Sequence, residues 1–285
     1  MKHKCANIEF LKEASLQIKK DLLKLCSQKS IHIGGDLSVS DMMTVLWQYQ
    51  IRYNPKNVND EKRDRFILSK GHAAAVTSLN QAAKGCFDKE DFFNEYATNG
   101  GRFSMHSCKL VNPYVEASTG SLGHGLSLGT GVAEGLRRKG NTTSRVYVVM
   151  GDGEQSEGSV WEAAMHAAHY KLGNLVAIVD RNGVQADGTT EELTGLGDLA
   201  EKYRAFGWNV VEINGHNITE IVKAFDGLAD ATSEKPTVII GKTVKGNGVS
   251  FMENNVNWHA GKIDEEQYLQ ALHEVTEKAV IDNEC

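Results

Sequence analysis

The sequence has little proline, no paired cysteine motif and no long apolar run. Only 3 of its 285 residues are proline, and no Pro- or Ser-rich linker divides it, so we expect one domain spanning 1–285. The five cysteines are odd in number and none forms a Cys-x-x-Cys pair. This argues against a disulfide framework or zinc knuckle and favours a reducing compartment. The cysteines are Cys5, Cys26, Cys86, Cys108 and Cys285.

Targeting signals and an excess of positive charge are missing as well. Charged residues interrupt the first ten positions, so no signal peptide is predicted, and no run of about 18 apolar residues predicts a membrane span. Lys and Arg number 31 and Asp and Glu number 37, a net charge of −6. This balance disfavours a nucleic-acid partner, because phosphate binding needs a basic face. With 41% apolar and 24% charged residues, we expect a globular, cytoplasmic protein without a membrane partner.

Glycine is abundant, with 28 residues, and it recurs where predicted strands end. Strand and helix patterns alternate along the chain. This alternation predicts an α/β fold, a doubly wound, mostly parallel sheet with helices on both faces, whose ligands bind at the carboxyl edge of the strands. The predicted strands are 65–69, 144–150, 175–179, 208–213 and 237–240. The predicted helices with defined bounds are 8–25, 157–171, 197–206, 217–230 and 264–281. A further helix is expected after a loop at 30–36, capped by Ser40 or Asp41 and running to about Gln50, and an Ala-rich helix is expected after Gly71.

The turn after the strand at 144–150 reads Gly-Asp-Gly-Glu-Gln-Ser-Glu-Gly. It fails the dinucleotide fingerprint Gly-x-Gly-x-x-Gly, because Ser156 stands at the third glycine. Asp152 and Glu154 would also repel a pyrophosphate unless a cation lay between them. The next strand ends just before Asn182, and turns of adjacent parallel strands meet at one edge. Asp152, Asn182 and a carbonyl near Val184 therefore predict a divalent cation site, for which Mg²⁺ has the right ligand preference.

A series of sequence blocks resembles the N-terminal third to half of transketolases. Gly151-Asp152-Gly153 through Asn182 resembles the thiamine diphosphate and magnesium motif, and the other blocks keep the family order: His32–Gly35, Phe66–His72, Glu116–Gly125, Lys171–Leu175 and Thr243–Met252. The resemblance implies the diphosphate-binding domain of the thiamine diphosphate fold, with Mg²⁺, or Ca²⁺ or Mn²⁺ in its place. The metal ligands it implies are Asp152, Asn182 and Val184. The cofactor-binding residues it implies are His72, Gly120, Leu122, Gly151, Asp152, Gly153, Glu154, Asn182, Val184 and His259.

Four of the ten histidines match active-site histidines of the family. The resemblance implies that His72 and His259 bridge the cofactor diphosphate and the substrate, and that His32 and His106 contact the hydroxyls of a ketose donor. All four are predicted to be catalytic, since imidazole donates or accepts a hydrogen bond and titrates near neutrality. Departures from the family pattern surround the implied donor pocket, and they fit either an unusual donor or neutral drift. They are Ile31, Met105, Ser107 and Tyr114, while His124 replaces a frequent glutamine.

The resemblance also implies a partner chain. A whole transketolase has a second α/β domain that holds the aminopyrimidine ring, and this sequence ends after the predicted helix at 264–281. It therefore resembles the N-terminal subunit of a split transketolase, expected to form an α₂β₂ complex with a C-terminal subunit. Glu157 and Glu162 match family glutamates at the subunit interface. The implied reaction moves a two-carbon ketol unit from a ketose, phosphorylated or otherwise acidic, to an aldose.

Two alternatives share the glycine-rich turn and the following asparagine. One is the α subunit of a 2-oxo acid dehydrogenase or a deoxyxylulose phosphate synthase-like enzyme, which the four histidines disfavour because decarboxylation needs no row of donors for sugar hydroxyls. The other is a non-catalytic, thiamine diphosphate-binding regulatory subunit, which the intact metal and histidine sets disfavour. The donor sugar stays open between pentose phosphates and branched or sulfonated sugars.

Overall fold

The structure is a computed structural model that describes residues 6–284, with side chains through residue 280. Five strands form a sheet in which all neighbours are parallel, in the order β1-β2-β3-β5-β4. The first three strands are adjacent in sequence order. Strand β4 then forms the far edge of the sheet, and β5 lies between β3 and β4. The strands are β1 (Arg65–Leu68), β2 (Val146–Gly151), β3 (Leu175–Arg181), β4 (Asn209–Asn214) and β5 (Thr237–Lys242).

Helices cover both faces of the sheet. Helices α1, α2, α3, α9 and α10 contribute to the core on one face, and α5, α6 and α8 to the core on the other. The doubly wound fold expected from the sequence is thereby confirmed. The helices are α1 (Ile8–Gln28), α2 (Ile33–Val45), α3 (Ala74–Ala83), α4 (Lys89–Glu95), α5 (His124–Arg138), α6 (Gly158–His169), α7 (Thr190–Thr194), α8 (Leu199–Ala205), α9 (Ile218–Asp226) and α10 (Glu265–Glu284).

Strand β2 shows how the sheet supplies both cores. Its residues are all buried, and successive side chains of a strand point to opposite faces. Tyr147 and Val149 accordingly pack in the core beneath α1, α2 and α3, whereas Val148 and Met150 pack in the core beneath α5 and α6. This double burial explains why the strand reads as an uninterrupted apolar run.

The start of α2 differs from the sequence expectation. The segment predicted as a loop at 30–36 is largely helical, since α2 begins at Ile33, and Ser40 and Asp41 are interior helix residues rather than caps. Every residue of α2 is buried, so no polar face marks it as a helix. The glycine pair that suggested a loop has a packing role, because a Cβ on Gly34 would lie 2.5 Å from the backbone oxygen of Trp258.

Other differences concern boundaries and omitted helices. Helix α9 ends at Asp226 rather than at 230, and α4, α5 and α7 lie outside the predicted elements. Among the described cysteines, Cys26, Cys86 and Cys108 are free, while Cys5 and Cys285 lie outside the described residues. No helix within residues 6–284 combines the length and the apolarity needed to cross a membrane.

Candidate active site

The turns after β2 and β3 meet at one edge of the sheet. Gly151, the last residue of β2, is level with Asp180 in β3, and Asp180 is level with Gly241 in β5. The next residues therefore come into contact, and the Asp152 carboxylate accepts a 2.5 Å hydrogen bond from the Gly183 N–H. The sequence expectation that these two turns are neighbours is confirmed.

Four histidines from four separate segments face one another at this edge. The ring centroid of His32 is 5.4 Å from those of His72, His106 and His259, and the centroids of His72 and His259 are 5.2 Å apart. His32 directly precedes α2, and His72 follows β1. The structure thus brings together all four histidines predicted to be catalytic. Their individual roles stay predictions.

The environment of this histidine cluster favours neutral imidazoles. Burial lowers the pKa of His32 to about 4, assisted by His106, Lys70 and Lys245. Burial, followed by the charge of Lys245, lowers the pKa of His259 to about 4, and burial lowers the pKa of His72 well below its ordinary value. A neutral imidazole both donates and accepts hydrogen bonds. At neutral pH these three rings can therefore bind hydroxyl or phosphate groups without being charged themselves.

Lys70 lies beneath the cluster, and sequence reasoning missed it. Its side chain is 2% exposed. The ammonium group forms a buried ion pair with Asp180 and donates to the Gly35 carbonyl at 2.9 Å and the Ser38 hydroxyl at 3.2 Å. Removing two charges from water is favourable only when the pair is well hydrogen-bonded. The Lys70–Asp180 pair meets that condition and adds positive potential beneath His72.

Lys245 was also missed, and its ammonium group lies in the site itself. It donates to the backbone oxygens of Val184 at 3.1 Å and Gln185 at 2.8 Å, and it lies 3.0 Å from Nδ1 of His259. Burial, followed by repulsion from Lys70, lowers its pKa to about 8. The Lys-Gly pairs in two of the family-like blocks were the available signal. Because a lysine is ordinarily a surface residue, neither Lys70 nor Lys245 was predicted to lie in a buried site.

The predicted metal ligands lie on the two adjacent turns. Both carboxylate oxygens of Asp152 accept backbone N–H groups, and Arg181 lies 3.3 Å from one of them. The Asn182 amide oxygen accepts the Val184 N–H at 3.1 Å. Across residues 6–284 no three His, Cys, Asp or Glu side chains form a metal-holding group. Of the three predicted metal ligands, only Asp152 has a side chain of this kind. The other two ligands would be the amide oxygen of Asn182 and the backbone oxygen of Val184.

Glu154, predicted to bind the cofactor, joins three segments of this edge. Its buried carboxylate accepts the N–H groups of Gly123 at 2.8 Å and Gly151 at 3.0 Å, as well as the Ser69 hydroxyl. Burial raises its pKa, and these three hydrogen bonds oppose the increase. These hydrogen bonds connect Glu154 to the segments of Ser69, Gly123 and Gly151 at the edge of the sheet, while its cofactor contact stays a prediction.

The segment before α5 borders the histidine cluster. A Cβ on Gly71 would lie 2.7 Å from the Gly120 nitrogen, and a Cβ on Gly120 would lie 3.4 Å from Cδ2 of His106. Glycine at both positions allows the two backbones to touch. Leu122 follows as a half-buried residue. Gly120 therefore lies beside His106 of the cluster, and the predicted contacts of Gly120 and Leu122 with the cofactor stay predictions.

The departures from the family pattern occupy two kinds of environment. Ile31 is fully buried in the core, and its backbone bridges to Gly261, so it does not line an open pocket. Ser107 and Tyr114 line a small cavity beneath the segment that carries His106. Met105 is half-buried against the same core. The structure thus places Ser107 and Tyr114 together at one small cavity, and their effect on the donor stays a prediction.

Glu157 and Glu162, predicted at a subunit interface, are both exposed. Glu162 lines a shallow cleft between α5 and α6. The same two helices expose Leu128, at 43%, and Met165, at 57%. Apolar side chains rimmed by polar groups are typical of protein contact surfaces. The interface role of the two glutamates stays a prediction.

Known proteins share both the sequence and the fold of this chain. Residues 20–276 match the family described as the transketolase, thiamine diphosphate binding domain. An apulose-4-phosphate transketolase subunit of Phocaeicola vulgatus is 42% identical over 274 residues, which cover 95% of either protein. The 6-deoxy-6-sulfo-D-fructose transketolase subunit SqwG of a Clostridium species is 36% identical over 86% of this chain and 88% of that protein. The solved transketolase of Campylobacter jejuni has a TM-score of 0.82 at 28% identity, covering 96% of this chain and 43% of its own.

Fold and site together define a thiamine diphosphate-binding α/β domain. The chain belongs to the transketolase family, as the match over residues 20–276 and the two transketolase-subunit relatives show. It spans less than half the length of the solved transketolases it matches and nearly the whole length of the Phocaeicola vulgatus subunit. The sequence interpretation as the N-terminal subunit of a transketolase, a transferase component, is confirmed.

Proposed function

We propose that this chain holds the diphosphate end of thiamine diphosphate with a divalent cation and works with a separate pyrimidine-binding chain as a transketolase. The enzyme transfers a two-carbon ketol unit from an acidic ketose to an aldose. The observation that carries the proposal is the cluster of four histidines around His32, set beside Lys245 and the turns of Asp152 and Asn182.

The residues of this edge fit a diphosphate. Nδ1 of His32 is buried and has no hydrogen-bond partner, and such an atom costs free energy unless a ligand satisfies it. The Lys245 ammonium group supplies positive charge, and His72 and His259 supply neutral ring nitrogens. When bound, thiamine diphosphate supplies the carbon centre that carries the ketol unit, and the protein supplies position and charge.

The donor set for the cation consists of oxygens alone. Asp152, the Asn182 amide and the Val184 carbonyl are the hard ligands that Mg²⁺ prefers, with Ca²⁺ and Mn²⁺ as substitutes. The Val184 carbonyl accepts a hydrogen bond from Lys245. We therefore infer that Lys245 leaves this carbonyl when the cation and diphosphate bind. Its flexible four-carbon stem permits that movement.

The remaining ring nitrogens are suited to sugar hydroxyls. Lys245 donates to Nδ1 of His259, so the neutral His259 ring carries its proton on Nε2 and can donate it. His106 is exposed at the same edge and can meet the hydroxyls of the donor. The names of the two relatives specify a phosphorylated and a sulfonated ketose. We infer that the donor here is likewise a ketose with an acidic group.

The partner is a C-terminal transketolase subunit, and the assembly contains two copies of each chain in the cytoplasm. The Phocaeicola vulgatus relative, itself named as a subunit and matched along 95% of its length, supports a separate second chain. The exposed faces of α5 and α6, with Glu157 and Glu162, support a contact that joins two sites. The family match favours this function over the dehydrogenase alternative, and the intact histidine cluster favours catalysis over a regulatory role.

Reconstitution tests the proposal. The purified chain, a C-terminal transketolase subunit from the same organism, and the mixture are assayed with thiamine diphosphate, Mg²⁺ and a panel of phosphorylated and sulfonated ketoses. We expect ketol transfer from the mixture alone, and a mass of two copies of each chain by light scattering. Robust turnover by this chain without its partner would refute the split-enzyme proposal.

A further inference from the structure

His216 bridges two segments that lie outside the histidine cluster. It stands between β4 and α9. Its Nδ1 lies 2.9 Å from an Asp41 carboxylate oxygen, and its Nε2 accepts the Val244 N–H at 2.9 Å. A backbone N–H can only donate, so Nε2 carries a lone pair and the ring proton is on Nδ1. These two contacts fix both the tautomer and the orientation of the ring.

Asp41 is a suitable anchor for this ring. It lies in the middle of α2 and is 3% exposed. Its carboxylate also accepts from the Ser15 hydroxyl at 2.5 Å and the Lys19 ammonium group at 2.9 Å. Burial alone would raise its pKa, but Lys19, His216 and Ser15 together hold it well below its ordinary value. A charged, fully bonded carboxylate therefore holds Nδ1–H of His216.

The other ring nitrogen controls the segment that carries Lys245. Val244 directly precedes Lys245 in the segment that follows β5. The start of this segment is also held by the Gly215 N–H, which donates a 2.8 Å hydrogen bond to the backbone oxygen of Lys242. The Asn247 amide lies 3.1 Å from Nδ1 of His216. The His216 ring thus contacts the backbone N–H of Val244 on one side of Lys245 and the side chain of Asn247 on the other, while the Lys245 ammonium group extends into the candidate active site.

We propose that His216, oriented by Asp41, is a positioning residue that sets the backbone path of residues 243–247 and thereby aims Lys245 at the cofactor diphosphate. The inference rests on the proposed function, in which Lys245 meets that diphosphate. His216 itself touches neither the histidine cluster nor the metal turns in the contacts of the structure. Its influence passes through the Val244 N–H and the Asn247 side chain, which flank Lys245.

Two substitutions separate positioning from stability. His216→Gln places a side-chain oxygen near the former Nε2 and keeps an acceptor for Val244, whereas His216→Asn is shorter and keeps a group only near the former Nδ1. We expect roughly ten-fold or greater loss of Mg²⁺-thiamine diphosphate affinity in His216→Asn, and less than about three-fold loss in His216→Gln, because only the Asn variant leaves the part-buried Val244 N–H without an acceptor and so releases the backbone before Lys245. Isothermal titration of the complex measures affinity, and thermal unfolding measures stability.

A double-mutant cycle completes the test. In a Lys245→Met background, His216→Asn should cause no further loss of cofactor affinity, since the side chain that it aims is gone. Equal losses in the Gln and Asn variants, or additive losses in the cycle, would overturn the positioning role. If His216→Asn does not fold, Asp41→Asn takes its place in the same cycle. Failure of the wild-type complex to bind the cofactor would instead count against the proposed function.

Discussion

The ammonium group of Lys245 lies 3.0 Å from Nδ1 of His259. A protonated lysine can only donate, so the pairing forces the neutral His259 ring to carry its proton on Nε2. Burial, followed by the charge of Lys245, lowers the pKa of His259 to about 4 and keeps the ring neutral. The contact with Lys245 therefore fixes the tautomer of a neutral ring that we place beside the diphosphate and the substrate.

Lys245→Met should weaken cofactor binding more than it changes the fold. A hydrogen bond to a charged group is worth about 1.5–3 kcal/mol, so we expect the Kd for thiamine diphosphate in Mg²⁺ to rise roughly ten- to a hundred-fold. Titration calorimetry with the partner chain present measures it. Lys242→Met, which removes an exposed ammonium group at the end of β5, is the matched control. Equal affinities of the two variants would contradict the placement of Lys245.

Asp152→Ala should abolish Mg²⁺-dependent binding of thiamine diphosphate. Asp152 is the only carboxylate in the predicted ligand set, and the amide and carbonyl that remain are weak ligands without it. The control is Asp187→Ala, an exposed acid in the same loop region. Binding is compared at rising Mg²⁺ concentration. Near wild-type affinity in the Asp152 variant would show that the cation is held elsewhere.

His106→Ala should impair use of the ketose while sparing the cofactor. His106 is exposed at the edge and its centroid is 5.4 Å from that of His32, so it can reach a sugar hydroxyl. The loss of one hydrogen bond of about 1.4 kcal/mol predicts a roughly ten-fold lower kcat/KM for the donor. His273→Ala on α10 is the control. An unchanged kcat/KM at saturating cofactor would make His106 a structural residue.

Sequence reasoning predicted that the short motifs meet at one edge of the sheet, and the structure brings them together there. The turn of Asp152 and the asparagine at 182 lie on adjacent parallel strands, and strand adjacency followed from the alternation of strands and helices. The start of α2 was not predicted from the sequence. A fully buried helix has no amphipathic period, and the glycine at position 34 is typical of a loop although here it allows close packing. The role of Lys245 depends on tertiary burial, which no local pattern shows.

His216 illustrates the same limit. It is not among the four histidines that the sequence resemblance singles out, and its contacts come from Asp41 in α2 and Val244 after β5. These partners are far apart in sequence, and only the fold brings them to opposite sides of one ring. Contacts of that kind follow from topology, so a sequence pattern cannot predict which ring nitrogen carries the proton.

The three half-buried histidines of the cluster, His32, His72 and His259, should make the protein less stable in acid. His32 and His259 have folded-state pKa values of about 4, and that of His72 is also lowered, against about 6.5 in the unfolded chain. Between these values the unfolded chain binds more protons, so their contribution is present above pH 6.5 and is lost as pH falls toward 4. Urea unfolding of the chain from pH 7.5 to 4.5 should show decreasing unfolding free energy.

Ionisation of Asp36 should make the protein less stable as pH rises, and comparison with the Asp36→Asn variant isolates this effect. Burial raises its pKa to about 7, against the opposing influence of the Val76 N–H and Lys70, and one carboxyl oxygen has no hydrogen-bond partner. A raised folded-state pKa contributes stability below the unfolded value of 3.8, and this contribution is lost as pH rises through 7. Asparagine resembles the neutral carboxyl at every pH.

The unfolding free energy of Asp36→Asn relative to wild type should therefore grow as pH rises from about 4 to 7 and level off above. At about 1.4 kcal/mol for each pKa unit, the shift from 3.8 to about 7 should make the difference approach the order of 4 kcal/mol. The exposed Asp187→Asn should give no such growing difference. The paired measurement cancels the histidine contribution, because both proteins retain His32, His72 and His259. A constant difference between Asp36→Asn and wild type across this range would show that Asp36 ionises normally despite its burial.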